Sequence, residues 1–193
     1  MIKMGNMNYK EILEKDLLAT STNYANMYDR LHRRNTITKF LIVYYSVIAI
    51  LYTILPKYFI YEEAIKNILD FCSVVISIIL LVASLSVSMA NYSARETRII
   101  QSIDLLKRLK KELQAKRIIN KKDFFRYINR YHEIVDSMEL RTNYDYYLTR
   151  KKLKKEISHW EYIIFPILHF LELIMYIILI CCPILIISIV LFF

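Results

Sequence analysis

The sequence predicts an all-α integral membrane protein with an N-terminal helix, a transmembrane hairpin, a cytoplasmic helical bundle and a third hydrophobic span at the C-terminus. Hydrophobic residues make up 56% of the 193 residues, yet the formal net charge is +9, a combination that is unusual for a soluble domain. The two properties are segregated, because no Lys or Arg follows Lys155 and only Lys57 and Lys66 lie between residues 39 and 95. With one glycine and three prolines, the chain has few helix breakers, which favours helices with short connections.

Three apolar segments are long enough to cross a bilayer, whose core of about 30 Å requires roughly 20 residues of helix. They define six predicted segments: a cytoplasmic N-terminal helix at 1–36, span 1 at 37–56, an outer loop at 57–67, span 2 at 68–90, a cytoplasmic bundle at 91–160, and an interfacial helix with span 3 at 161–193. The first forty residues are polar and charged, which argues against a secretion signal.

The distribution of cations predicts the orientation of these spans. Segment 91–160 contains twice as many Lys and Arg as Asp and Glu, and several more cations precede span 1. Because Lys and Arg are enriched in cytoplasmic loops, we expect the N-terminus and residues 91–160 inside the cell, and residues 57–67 outside. The last span then leaves the C-terminus outside.

The cytoplasmic segment begins with an amphipathic pattern. Ile99, Leu106 and Leu113 recur at intervals of seven, which is typical of a helix with one apolar face. With no breaker after the membrane, we expect one unbroken helix from Ile68 to about Arg117. A second helix follows Asn120, a candidate N-cap, and a third, at 142–160, leads back to the bilayer.

The boundary between the apolar and basic parts of that helix is a candidate transmission element. A signal received by the cytoplasmic bundle has its shortest rigid route to span 2 through this boundary. The predicted junction consists of Asn91, Ser93, Ala94 and Arg95.

A row of serines marks one face of span 2. Ser73, Ser77, Ser84 and Ser88 are separated by four, seven and four positions, so they form a single stripe on a helix. Small hydroxyl side chains allow close helix packing. The same stripe could instead line a wetted pore when several copies assemble, and both interpretations require a partner helix on this face.

Glu172 and His169, one turn apart, form the other polar feature of the apolar segments. An ionisable group in mid-bilayer usually marks function. However, the residues after Glu172 suffice to span the membrane alone, so we interpret the pair as interfacial. Segment 158–171 would then be an interfacial helix that contains Trp160 and Tyr162.

Catalytic chemistry finds little support in the sequence. His132 and Glu133 begin a metalloprotease-like motif, but Asp136 occupies the position of the second zinc-binding histidine. A single glycine, Gly5, excludes a P-loop and a dinucleotide fingerprint. We therefore predict no enzymatic activity, no cofactor and no metal site.

The remaining reactive or charged groups have structural interpretations. Cys72, Cys181 and Cys182 lie in hydrophobic segments, where we interpret them as packing residues rather than redox groups. The basic aromatic stretches of segment 91–160 could contact nucleic acid. Cations are expected beneath an anionic leaflet in any case, so direct nucleic-acid binding is the less favoured interpretation.

Several stretches together resemble a known family. They are the basic entry RLHRRNTITK to span 1, the short outer loop, span 2 continuing into SARETRIIQSIDLLKRLKKEL, and YINRYHEIVDSMELRTNYDYYLTRKK. Over residues 8–160 this arrangement resembles the SLATT domains, the SMODS- and SLOG-associating two-transmembrane effectors, and most of all the group found beside reverse transcriptases. The third hydrophobic segment departs from the two-span pattern of the family name.

The resemblance implies an effector of a bacterial antiphage or conflict system in the inner membrane. Such an effector is expected to form pores as a homo-oligomer and to cause abortive infection when a sensor, such as a reverse transcriptase or a nucleotide-signal synthase, activates it. The alternative is a non-conducting membrane scaffold whose basic bundle holds a partner protein or nucleic acid.

Overall fold

The computed structural model of the chain describes residues 9–58, 63–116, 119–139 and 141–192. Within these ranges all regular secondary structure is helical, as predicted. The helices are α1 (Tyr9–Tyr58), α2 (Glu63–Ala90), α3 (Tyr92–Ala115), α4 (Lys121–Asp136), α5 (Asn143–Lys152) and α6 (His159–Phe192). Three stretches are long and apolar enough to cross a membrane: one in α1, one beginning in α2, and one in α6.

The predicted segments merge into longer helices. Predicted N-terminal helix and span 1 form the single helix α1, and the predicted interfacial helix and span 3 form α6. α1 extends to Tyr58 and α2 already begins at Glu63, so the outer loop is shorter than 57–67. Residues 59–62 of that loop lie outside the described residues.

The prediction of one unbroken helix from Ile68 to about Arg117 is wrong. Asn91 separates α2 from α3 and has a left-handed backbone with φ of 49°. Its N–H donates to the carbonyl of Ser88 at 3.3 Å, the short-range pattern of a tightened turn. Asparagine tolerates the left-handed region better than most residues, so the chain breaks here without glycine. α3 ends at Ala115, and Arg117 lies outside the described residues.

The chain divides into two compact units. The first comprises the chain through His32 together with Ser93–Glu161. Its core combines one face of α1 with the predicted apolar face of α3, since Ile99, Leu106 and Leu113 are all buried. The α1 contribution recurs at helical spacing and consists of Leu13, Leu17, Tyr24, Met27 and Leu31.

A buried polar network joins α1 to α5 inside the first unit. Asp145 is fully buried, and the Arg30 guanidinium donates to both of its carboxylate oxygens at 3.0 and 3.1 Å. The backbone N–H and hydroxyl of Thr142 donate to the same carboxylate at 3.0 and 2.7 Å. The Thr142 hydroxyl oxygen in turn accepts from the N–H of Asp145 at 3.4 Å, which completes a capping box at the start of α5. Beside it, the Asn26 amide donates to the Thr149 hydroxyl at 2.9 Å. The buried charge is thus compensated, as its desolvation requires.

The predicted third helix at 142–160 is too long: α5 ends at Lys152, the backbone of Lys154 is left-handed with φ of 52°, and α6 begins only at His159. The predicted start of the second helix agrees with the structure. Asn120 is the N-cap of α4 with an extended backbone, and its carbonyl accepts from the N–H of Phe124 at 2.9 Å, but its side chain makes no capping hydrogen bond. The guanidinium of Arg130 on α4 makes a bidentate contact with Glu112 on α3 at 2.6 and 3.3 Å. This hydrogen bond holds the pKa of Glu112 below its usual value and raises that of Arg130.

The second unit comprises Arg33–Tyr92 and Tyr162–Phe193. Its small core consists of Ile48 and Tyr52 from α1 and Leu69 from α2, with Ile186 and Ile187 of α6 packed against them. Along α1, partners on α6 advance in the same direction and partners on α2 in the opposite direction. Therefore α1 and α6 run parallel, and α2 runs antiparallel to both.

Tyrosines of α1 support a proline in the middle of α6. Pro183 has no N–H, so the carbonyl of Leu179 lacks its usual intrahelical donor. The Tyr45 hydroxyl donates to that carbonyl at 2.7 Å, and the Tyr44 hydroxyl donates to the carbonyl of Ile180 at 2.6 Å. Side chains of a neighbouring helix thus satisfy backbone groups that no water could reach in a bilayer.

Candidate functional site

The serine stripe lies on α2 and is open over most of its length. Ser73 is half-buried, whereas Ser77, Ser84 and Ser88 are exposed. The hydroxyls of Ser84 and Ser88 form no hydrogen bond with another residue that the structure describes. The stripe is therefore a polar strip on an apolar surface. Over most of its length, no helix in the described part of this chain covers it, so the predicted partner helix is found only beside Ser73.

The end of the stripe at Ser73 contacts α1. The Thr53 hydroxyl donates to the Ser73 hydroxyl at 3.2 Å. The Ser77 hydroxyl turns back to the carbonyl of Ser73 at 2.8 Å, which is a common way to satisfy a serine in an apolar helix. Helix packing thus accounts for Ser73, and it leaves the other three serines facing outward.

Asp70 belongs to the same face, and the sequence-based prediction missed it. It precedes the serines by three, seven, fourteen and eighteen positions, so on a helix of 3.6 residues per turn it shares their stripe. The side chain is exposed and pairs with no cation among the described residues. The signal is present in the sequence, because the spacing of the serine stripe extends three positions back to Asp70.

The pair His169 and Glu172 forms a cluster with the two arginines of α1. Glu172 accepts from Arg33 at 3.1 Å and lies 3.5 Å from Nε of Arg34. His169 lies 3.6 Å from the same carboxylate, and the Tyr176 hydroxyl donates to it at 3.4 Å. We call these five residues the arginine cluster. The sequence analysis did not assign the two arginines to this site. However, the arginine pair and the pair His169 and Glu172 each precede an apolar run.

Part of the predicted transmission junction makes side-chain contacts within the first unit. Ser93 and Ala94 lie in the first turn of α3, after the break at Asn91. The Arg95 guanidinium makes a bidentate contact with Glu139 at 2.6–2.9 Å. A role of these residues in transmission remains a prediction.

The residues considered for chemistry lie apart from these features. His132 and Glu133 are exposed on α4. Cys72 packs at the core of the second unit, while Cys181 and Cys182 are exposed, so packing within this chain accounts only for Cys72. In the described ranges, no three His, Cys, Asp or Glu side chains form a group that could hold a metal ion.

Comparison with known proteins identifies the family. The model of the SMODS and SLOG-associating 2TM effector domain family 5 matches residues 6–193. The chain belongs to this SLATT family. It is thus a membrane effector of conflict systems, which agrees with its three apolar helices. Neither the curated proteins nor the solved structures contain a match to it.

The family match also corrects the predicted extent of the resemblance. It continues beyond residue 160 through the third hydrophobic segment, which was expected to depart from the family pattern. The SLATT description names two transmembrane helices, whereas the part of this chain that the structure describes has three stretches long and apolar enough to span. In this chain α6 packs on α1, so the third helix is an integral part of the second unit.

Proposed function

We propose that the chain is a non-enzymatic effector that assembles into homo-oligomers, in which the polar face of α2 lines a water-filled path through the membrane. The observation that carries this proposal is the exposure of Ser77, Ser84, Ser88 and Asp70 on one side of α2. We call this side of α2 the polar face.

The energetics of membrane insertion support the assembly. A charged side chain in the hydrocarbon costs about 2.5–3.5 kcal/mol at mid-span, and less near the interface. Turning the polar face toward a water-filled path shared with other copies lets water hydrate Asp70, and it leaves apolar side chains such as Ile78 and Val82, both more than half exposed, toward lipid. A conducting assembly would in addition keep the serines hydrated.

The orientation and the trigger complete the proposal. Following the positive-inside bias, residues 91–160 lie in the cytoplasm of a bacterium, and Asp70 lies near the outer end of the path in the inner membrane. An activating partner, such as a reverse transcriptase or a nucleotide-signal synthase, opens the path. The family description names association with SMODS and SLOG; the identity of the activating partner is part of the proposal.

The test uses the full chain reconstituted in liposomes that contain a self-quenched dye. Ser84→Leu should reduce dye release at least tenfold, because an apolar wall favours dewetting of a narrow path. Ser86→Leu is the matched control: Ser86 is exposed on the opposite side of α2, with its hydroxyl bonded to the carbonyl of Val82. Equal release from the two variants would refute the assignment of the polar face. A wild-type chain that releases no dye with its activating partner present would favour the non-conducting scaffold.

The charge of the polar face predicts which ions pass. At the outer end of α2, Glu63, Lys66 and Asp70 share this face, so each copy contributes one net negative charge. Rings of carboxylates favour cations. We therefore expect cation preference from reversal potentials in a salt gradient, loss of it in Asp70→Asn and inversion in Asp70→Lys. Asp104→Lys, on α3 of the first unit, should leave it unchanged.

A further inference from the structure

A crevice within the second unit lies between all three apolar helices. Its volume is about 290 Å³, and it is lined by Thr38, Leu41 and Tyr45 of α1, Ile79 and Ala83 of α2, and Leu179 of α6, among others. The lining is almost entirely apolar. The hydroxyls of Thr38 and Tyr45 are both bonded to backbone carbonyls, so the crevice offers no free polar group to a polar ligand.

The arginine cluster precedes one end of this crevice along both α1 and α6. The Thr38 hydroxyl donates to the carbonyl of Arg34 at 2.7 Å, which places Arg34 one turn earlier on the same side of α1. On α6, Tyr176 and Glu172 lie about one and two turns before Leu179, again on one side. The crevice and the cluster thus follow one another along both helices.

The cluster carries excess positive charge. Arg33 and Arg34 share the single carboxylate of Glu172. The Arg34 side chain remains 46% exposed. A guanidinium has five N–H donors in a planar fork, which fits a phosphate with two parallel hydrogen bonds.

We propose that the crevice and the arginine cluster together form a binding site for one anionic phospholipid. An acyl chain occupies the crevice, and the phosphate of the headgroup contacts Arg34. The combination of a dry apolar slot with a basic end, separated by about one helical turn of 5.4 Å, matches an amphiphile with an anionic head. Basic pockets between transmembrane helices are known to accept anionic headgroups. This site is independent of the proposed pore, because it lies among the three helices of one chain.

The test is native mass spectrometry of the full chain in detergent, titrated with phosphatidylglycerol or with phosphatidylcholine. The wild type should retain one phosphatidylglycerol in preference to phosphatidylcholine. Arg34→Gln should reduce phosphatidylglycerol binding about tenfold, as expected for the loss of one charge-assisted pair, and abolish the preference. Lys39→Gln is its control, since Lys39 is an exposed cation outside the crevice lining.

A second variant tests the crevice itself. Ala83→Phe should fill it and weaken the binding of both lipids at least tenfold, whereas Val82→Phe, at a neighbouring exposed position, should not. Circular dichroism verifies that each variant is folded, and the Arg34 comparison stands by itself if Ala83→Phe is not. Unchanged binding in Ala83→Phe, or equal effects of Arg34→Gln and Lys39→Gln, would refute the site. Displacement of the lipid by millimolar inorganic phosphate, or a second protein chain in its place, would also refute it.

Discussion

The two units of the chain differ in the burial and the hydrogen-bond partners of their polar side chains. In the first unit, Asp145 is completely buried, and Arg30 and Thr142 donate hydrogen bonds to its carboxylate. In the second unit, Asp70 and Ser84 are exposed on an apolar helix and lack a partner among the described residues. A buried network of this kind specifies a fold, since each member must be satisfied. An exposed polar face on a membrane helix instead requires water or another chain, and this requirement is the basis of the proposed function.

The largest effect on the free energy of unfolding is expected at the buried polar network of the first unit. Asp145→Ala leaves the Arg30 guanidinium, only 11% exposed, without its carboxylate. It also removes the capping box of α5. Breaking a buried pair in this way should lower the free energy of unfolding by about 3–5 kcal/mol. Urea denaturation in mild detergent measures the loss, and hydrogen exchange of the α5 amides locates it.

Two further variants separate the contributions at Asp145. Asp145→Asn keeps an acceptor for the cap and removes the charge, so it should cost less than Asp145→Ala. Asp104→Ala, on the exposed side of α3 with a 3.7 Å ion pair to Lys107, should cost less than about 1 kcal/mol. If Asp145→Ala were no more destabilising than Asp104→Ala, the contrast between the units would not hold.

Much of the fold was predictable because it depends on local patterns. The lengths of the apolar runs indicate three spans, and the spacing of Ile99, Leu106 and Leu113 identifies the buried face of α3. The break at Asn91 was not predictable from breakers, since asparagine adopts both helical and left-handed conformations. The contact between Arg30 and Asp145 joins positions 115 residues apart, and no local pattern encodes such a separation.

The candidate sites show the same division. The serine stripe follows from helical periodicity alone, and Asp70 would have followed from the same rule. The arginine cluster requires the knowledge that α1 and α6 pack in parallel, which residues 33–34 and 169–172 do not reveal separately. The crevice depends on the packing of three helices, and therefore has no sequence signature.

A medium effect is expected where α1 supports the proline of α6. Tyr45→Phe leaves the Leu179 carbonyl without a donor and should cost about 1 kcal/mol in bicelles, within the range for hydrogen bonds between membrane helices. In a Pro183→Ala background the N–H of residue 183 can reach that carbonyl, so the same substitution should cost close to zero. Tyr58→Phe, on a side chain that is 80% exposed at the end of α1, is the control. An equal cost in both backgrounds would show that the contribution of Tyr45 does not depend on Pro183. It would then weaken the view that side chains of the second unit satisfy its backbone hydrogen-bonding groups.

The smallest effect concerns the exposed pair between α3 and α4. Because the hydrogen bond from Arg130 lowers the pKa of Glu112 below its usual 4.5, folding favours the ionised carboxylate. This contribution is fully present above pH 4.5 and is lost as the pH falls through the lower pKa of the folded state. The unfolding free energies of wild type and Glu112→Gln should therefore differ at pH 7, by at most about 1 kcal/mol for a surface pair, and should converge in acid. Glu156→Gln, at an exposed carboxylate outside the helices, is the control and should unfold like the wild type at pH 7. High salt should reduce the difference at pH 7; a difference that persisted at the lowest pH would instead assign Glu112 a packing role, as in the buried interior of the first unit.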